Sequence, residues 1–321
     1  MMKYEKNVYE GQNAYLQYYE IRNGLKPLVL LHAQAVDSTS YFGVMPKLAQ
    51  HFHVYAVDCY GHGGSLHDAS KYNVTDIGNA VISFIQNVIQ EPVCLLGHSS
   101  GGLIAAYIAS HSDLCSTLVL EDAPFFSCQG ERRKHSFNYV DLSTVCHNFL
   151  NQKEETDFVL YYFSHQRIWE LFPEKARERL RPKLIASAAK FRKKHPDKSL
   201  RIPFWPKVGL AAYQGMNCYD PRFGEAFYTD SFHNGIAHED LLRSVHCKTL
   251  FLKAKTAIGQ DGLLMAALSE DDLQRVLELV PNCSFVRFNC GHAIHIEKPK
   301  EFVSALIAMC KDLRTEQCLT Q

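Results

Sequence analysis

A nucleophile, and a base that could activate it, stand out before any fold is considered. Ser99 lies in Gly97-His98-Ser99-Ser100-Gly101. The apolar run 93–96 precedes this motif, and Leu103, Ile104, Tyr107 and Ile108 follow it at helical spacing. Glycines at 97 and 101 suit a strand that turns straight into a helix, where a Cβ would meet neighbouring backbone. Such a corner lifts the middle side chain clear of the sheet, and the N–H groups of the helix start point at the same spot. A turn serine in a glycine-rich loop would leave the flanking strand and helix unexplained. A serine hydroxyl is a weak nucleophile near neutral pH and needs a base in reach. Of 16 histidines, His292 alone lies in a glycine loop between the last apolar strand pattern and the last helical one. An imidazole titrating near neutrality can take the proton and return it. His98 neighbours Ser99, but adjacent side chains diverge on a sharp turn, so it is expected to brace the corner. His295 is expected to support the His292 loop.

Other chemistries fit less well. His51-x-His53 and Cys290-x-His292-x-x-His295 contain ligand-type residues, yet no open three-ligand set emerges with them, and no metal is expected. Gly61-x-Gly63-Gly64 lacks the later glycine and the acid of a dinucleotide loop, so no cofactor is expected. The 321 residues are 46% hydrophobic and 21% charged, with a formal net charge of +0. That balance favours neither nucleic acid nor an anionic membrane. No apolar run approaches the roughly 20 residues of a membrane span, and 1–6 lacks the apolar segment of a signal peptide. Eleven cysteines, an odd number without regular spacing, suit reduced thiols and a cytoplasmic protein. The expected partner is a small-molecule substrate; the sequence assigns no oligomeric state.

The elements that must position these residues alternate. Strands are expected at 15–21, 27–31, 54–57, 93–96, 117–120, 249–253 and 284–288. Helices are expected at 41–51, 76–89, after Gly102, from the Ser269 cap to 279, and at 299–313. Apolar strands alternating with helices imply an α/β fold with a mostly parallel, doubly wound sheet. Gln34, Asp58, Ser99 and Asp122 all follow strand ends, so they face one crevice. The alternation stops after Pro124. The stretch 125–245 shows helical patterns, with Pro173, Pro182 and Pro196 as breaks and a stiff Pro203-Phe204-Trp205-Pro206 link. It reads as a helical cap inserted between two parts of a core domain, 1–124 and 246–321. Its basic run 190–195 is expected to be a solvated helix end, and the tail 314–321 to be frayed.

The ordered motifs resemble the α/β-hydrolase fold superfamily, specifically its capped, esterase-like members. They are His32 after a strand, Asp58-x-x-Gly61-His62-Gly63-x-Ser65, the Gly97–Gly101 segment, and Gly291-His292-x-x-His295-x-Glu297-x-Pro299. The resemblance spans 27 to about 310 and leaves the cap unmatched. It implies a serine hydrolase with His292 as base and with an oxyanion hole made by the backbone N–H groups of Gln34 and Ser100. Ala33 stands where such proteins usually have glycine, which requires a negative φ there. The resemblance also implies an acid after the strand 249–253. That place holds Lys255, Thr256 and Ala257, so the next acid, Asp261, is assigned, flanked by Gly259 and Gly262. Asp122, after the preceding strand, is the rival. The expected activity is cofactor-independent cleavage of a small, partly apolar ester, thioester or lactone through an acyl-enzyme. A carbon–carbon bond hydrolase with the same triad, or a receptor-like member with little turnover, is the alternative.

Overall fold

The unbroken apolar runs form the middle of one sheet in the computed structural model, which describes residues 4–202, 205 and 207–317. The strands are β1 (Glu5–Gly11), β2 (Ala14–Ile21), β3 (Pro27–Leu31), β4 (His53–Val57), β5 (Val93–His98), β6 (Cys115–Glu121), β7 (Lys248–Lys253) and β8 (Cys283–Arg287). Their order is β1-β2-β4-β3-β5-β6-β7-β8. The β1–β2 and β2–β4 pairs are antiparallel and the others parallel. Parallel neighbours need crossover helices, which cover both faces; β3 and β5 are therefore buried at every position. Val29, Leu31 and Leu95 enter one apolar core. Leu28, Leu30 and Leu96 enter the other, on the opposite face. This is the expected α/β fold, with the strand ends aligned as in the register Leu31 with Gly97 and His98 with Glu121.

Local chemistry sets the helix starts. The Asn73 side chain accepts from the Asp76 amide and caps the helix Val74–Phe84, which ends in a wider turn, Ile85–Ile89. Ser269 and Asp272 form a reciprocal capping box at the helix Glu270–Leu279. The single helix expected at 41–51 is instead a 3₁₀ segment, Ser38–Gly43, and a short turn, Met45–Leu48. Asp37 caps it so that it starts three residues early, and Pro46, lacking an N–H, fits only the first turn of the second piece. β1 has no counterpart among the expected strands: three of its seven residues are charged and all are exposed or half-buried.

Between β6 and β7 the described residues contain helices and turns but no strand, with main helices Thr144–Leu150, Phe158–His165, Glu174–Lys194, Pro221–Tyr228 and His238–Arg243. Phe163 meets Trp169 and Trp205 edge-on and the two indoles tilt against each other, with ring centroids 5.2 to 5.4 Å apart, and all three join the core that holds Val29 and Leu31. Pro182 does not break its helix as expected; Glu174–Lys194 runs through it. The basic run is not wholly solvated either, because Arg192 is buried and its Nε lies 2.7 Å from Asp157. Of the expected Pro-aromatic link, 203, 204 and 206 lie outside the described residues. So do 1–3 and the end of the tail, 318–321; 314–317 continue the final helix, Pro299–Gln317. The first and last parts of the inserted segment are tied by a one-directional chain. Phe126 N–H donates to His238 Nδ1 at 2.8 Å, His238 Nε2 to His233 Nδ1 at 3.2 Å, and His233 Nε2 to the Cys128 carbonyl at 3.0 Å.

Candidate active site

Ser99 occupies the corner between β5 and the helix Ser100–His111, with φ 55° and ψ −120°. Few non-glycine residues tolerate such a backbone, so the surroundings must hold it. Its N–H donates to the Glu121 carbonyl at 2.9 Å. A Cβ on Gly97 would strike the Gly101 carbonyl, and one on Gly101 would lie 2.6 Å from the His32 carbonyl oxygen. The two glycines therefore let β3, β5 and the helix meet at van der Waals distance.

His292 and Asp122 come from different strand ends. His292 Nδ1 donates to Asp122 Oδ2 at 2.8 Å. The Asp122 side chain is 1% exposed and that of His292 44%. Asp122 follows β6 at φ 43°, and its other oxygen, Oδ1, accepts from the Ala254 amide at 3.1 Å. The acid assigned from sequence, Asp261, does not reach His292. Its carboxylate is 54% exposed, accepts from the Leu263 amide at 3.1 Å, and lies 3.4 Å from the Arg167 guanidinium. Those two donors, Leu263 first, hold it below the usual carboxylate range. The correction has a physical cause. The loop after β7 folds back on itself through an Ile258–Leu264 bridge and ties to the inserted segment through Ser136–Leu264, which leaves Asp261 at a solvent-facing tip.

A buried cluster stands behind His292. His98 Nε2 donates to the His292 carbonyl at 3.0 Å, and Glu121 accepts from both the His295 amide (2.9 Å) and His295 Nδ1 (2.8 Å). Glu297 accepts from the Gly291 amide at 3.0 Å and fixes the start of the same loop. Burial pushes the His98 imidazole down to about 3. Burial alone would raise the Glu121 carboxyl, but His295 and His98 beside it bring it to about 2. His98, Glu121 and His295, and separately Cys128, His233 and His238, are the two groups among the described residues close enough to offer three metal ligands. In the second group the ring nitrogens are spent on the hydrogen-bond chain described above. In the first, Glu121 is engaged by His295, while His98 Nδ1 and His295 Nε2 lack hydrogen-bond partners.

Gln34 and Ser100 lie where an oxyanion could be held, beside Ser99 in one cavity of about 280 Å³ that also opens on His292. Ser100 begins its helix, so its N–H has no intrahelical partner. Ala33 is not among the residues with positive φ; the turn falls on Ala35, at φ 65°. Two buried histidines shape this loop: His32 Nε2 accepts from the Cys59 amide (2.9 Å) and His62 Nε2 from the Ala35 amide (3.1 Å). The Gln34 side chain turns to the Tyr219 hydroxyl at 2.8 Å. Pro124, Leu142, Phe227, Met265, Ala266 and Ala267 supply an apolar part of the remaining wall, and Ser127, Ser136, Asn138, Asp141 and Tyr162 a polar part. Asp141 accepts from the Tyr162 hydroxyl at 2.6 Å and the Arg167 amide at 2.5 Å. Burial raises its carboxyl, and those hydrogen bonds oppose the rise.

A sheet of this order with a strained serine at the β5 corner defines a fold class, and comparison with known proteins agrees. The sequence model of the Alpha/beta hydrolase family matches residues 28–305, and the chain belongs to that family. An uncharacterised protein of Mycobacterium tuberculosis is 32% identical over 112 residues, 35% of this chain and 33% of that protein. A pimeloyl-(acyl-carrier protein) methyl ester esterase of Aeromonas hydrophila is 33% identical over 107 residues, 32% of this chain and 41% of the esterase. The chain thus spans a third to two fifths of the length of these relatives. A crystal structure of a hydrolase from Pseudomonas aeruginosa superposes with TM-score 0.67 at 16% identity, covering 95% of this chain and 98% of that one. This last likeness concerns the fold. No described helix is long and apolar enough to cross a membrane.

Proposed function

We propose that the protein is a cofactor-independent serine hydrolase of small, partly apolar esters, thioesters or lactones, with Ser99 as nucleophile, His292 as base and Asp122 as the orienting acid. The observation that carries this is the 2.8 Å contact of Asp122 with His292 Nδ1, in a site whose cavity also exposes the cornered Ser99. With Nδ1–H held by Asp122, Nε2 is the nitrogen left to take the Ser99 proton. Ser99 Oγ attacks the carbonyl, and the N–H groups of Gln34 and Ser100 receive the oxyanion, each worth about 3 kcal/mol in the transition state. His292 returns its proton to the leaving group, and water then releases the acyl group by the reverse sequence.

Residues 125–245 act as the cap and supply the apolar wall through Leu142 and Phe227. A cavity of about 280 Å³ suits a short acyl or alcohol group. The esterase named among the relatives supports ester chemistry. Thiols such as those of Cys59, Cys128 and Cys146, buried and unpaired, support a reducing, cytoplasmic setting. The test is fluorophosphonate labelling of wild type and Ser99→Ala, followed by turnover on esters graded by acyl length. Labelling at Ser99 with hydrolysis of short-chain esters is expected. Turnover retained by pure Ser99→Ala would overturn the reading, and labelling without turnover of any ester would favour a binding role.

A further inference from the structure

Lys253 is the last residue of β7, and its side chain is 0% exposed. Lysines are rarely buried this far without a partner. Its Nζ donates to the Ala254 carbonyl at 2.6 Å and to the Thr256 hydroxyl at 2.9 Å. The same nitrogen stands 3.8 Å from Asp122 Oδ1 and 4.0 Å from a Glu270 oxygen. Oδ1 is the Asp122 oxygen that His292 does not use. Asp122 therefore lies between two groups, an imidazole on one side and an ammonium with the Ala254 amide on the other.

We infer that Lys253 is a positioning residue of this site: it sets a positive charge against the Asp122 oxygen that His292 leaves and so limits how strongly Asp122 draws a proton onto His292. The inference rests on the triad proposed above. A buried carboxylate 2.8 Å from an imidazole favours the imidazolium, and an imidazolium cannot act as a base. A cation across that carboxylate opposes the pull. The other charged groups are placed differently. Glu270, on its helix, and Arg287, on β8, act on Lys253, while His292 is faced by His98, with Glu121 and His295 behind it. Burial pushes the Lys253 amine down, and Asp122 and Glu270 pull it back up. The resemblance led to an acid just after β7; this chain carries a cation there and its acid one strand earlier.

The experiment compares Lys253→Met and Lys253→Gln, which remove the charge, with Lys253→Arg, which keeps it. The first readout is the NMR titration midpoint of the His292 ring in a Ser99→Ala background, which needs no turnover. The second is the acid limb of the kcat/KM profile on a short-chain ester. Both should move up by about one pH unit in the Met and Gln variants and stay in place in Lys253→Arg, with KM little changed. Lys253→Gln retains a donor for Ala254 and Thr256, so the comparison stands if the Met variant does not fold. A midpoint that stays in place or moves down when the charge is removed overturns the inference. Absence of ester turnover in wild type would count against the proposed function instead, and the NMR midpoint would still judge Lys253.

Discussion

Replacing Asp122 by asparagine tests the site at its least expected member. Oδ1 faces two donors, the Ala254 amide at 3.1 Å and the Lys253 ammonium at 3.8 Å, while Oδ2 faces His292. An asparagine would keep its carbonyl oxygen toward those donors and turn its NH₂ to His292. Nδ1 would then have to accept, and the proton would move to Nε2, the position from which the base must take the Ser99 proton. Loss of about 10⁴ in kcat is expected, about 5 kcal/mol of transition-state stabilisation. Asparagine tolerates the left-handed backbone at φ 43°, so the fold should survive. Asp261→Asn is the control, because that carboxylate is 54% exposed and its partner Arg167 is also engaged by Glu170. Its effect on kcat should stay within roughly threefold. Steady-state kinetics of both variants on one short-chain ester, with melting curves to confirm folding, make the comparison. A large loss in Asp261→Asn beside near-normal Asp122→Asn would refute the geometric argument.

Ser99→Ala should lower kcat by roughly 10⁴ or more with no change in the melting transition, as read by ester hydrolysis and calorimetry. Gly101→Ala should destabilise the protein by about 3 kcal/mol or prevent folding, since the new Cβ meets the Leu31 and His32 carbonyls; urea unfolding reports it. Stability should fall on acidification. His98 is held down to about 3, below its unfolded value, so its contribution is full above about pH 6.5 and is lost progressively toward pH 3. Glu121, held at about 2, adds a loss that begins only below about pH 4.5. Urea unfolding at pH 7 and pH 5 should therefore differ by about 2 kcal/mol from His98 alone, and equal values would contradict the burial argument. Esters bearing a free carboxylate should be poor substrates beside neutral ones of equal length, because Asp141 brings a carboxyl to the pocket wall; Asp141→Asn should narrow the gap.

How much of this was legible in sequence follows from how local each feature is. The corner at Ser99 is written in one continuous stretch, 93–108, so strand, glycines and helix could be read together. His292 was legible because its glycine loop lies between two well-patterned elements. The pairing of Asp122 with His292 was not, because it depends on contacts across the sheet. Asp122 looks like a turn residue until the register of β6 against β7 brings it beside Ala254 and His292. Asp261 has the flanking glycines of a flexible loop, and nothing in its neighbours reveals the bridges that hold it at a tip. Lys253 read as the end of an apolar strand, and its burial is a property of the packed layers. β1 escaped because an antiparallel edge strand needs few apolar residues. The left-handed backbone at Asp122 is likewise a tertiary outcome, since aspartate only tolerates it.

The position of the acid divides labour along the chain. In the triad proposed above, the loop after β7 only braces the acid, through Ala254 and Thr256, while its later part meets the cavity through Met265, Ala266 and Ala267. Its backbone is stitched to the inserted segment, Phe137 N–H to the Leu264 carbonyl at 2.9 Å and Leu264 N–H to the His135 carbonyl at 3.0 Å. Substitutions in 257–267 can therefore remodel what fits without touching the residues proposed to react or Thr256, which holds Lys253. For an evolving lineage, or a laboratory library, this loop is the place where preference can drift while chemistry stays constant.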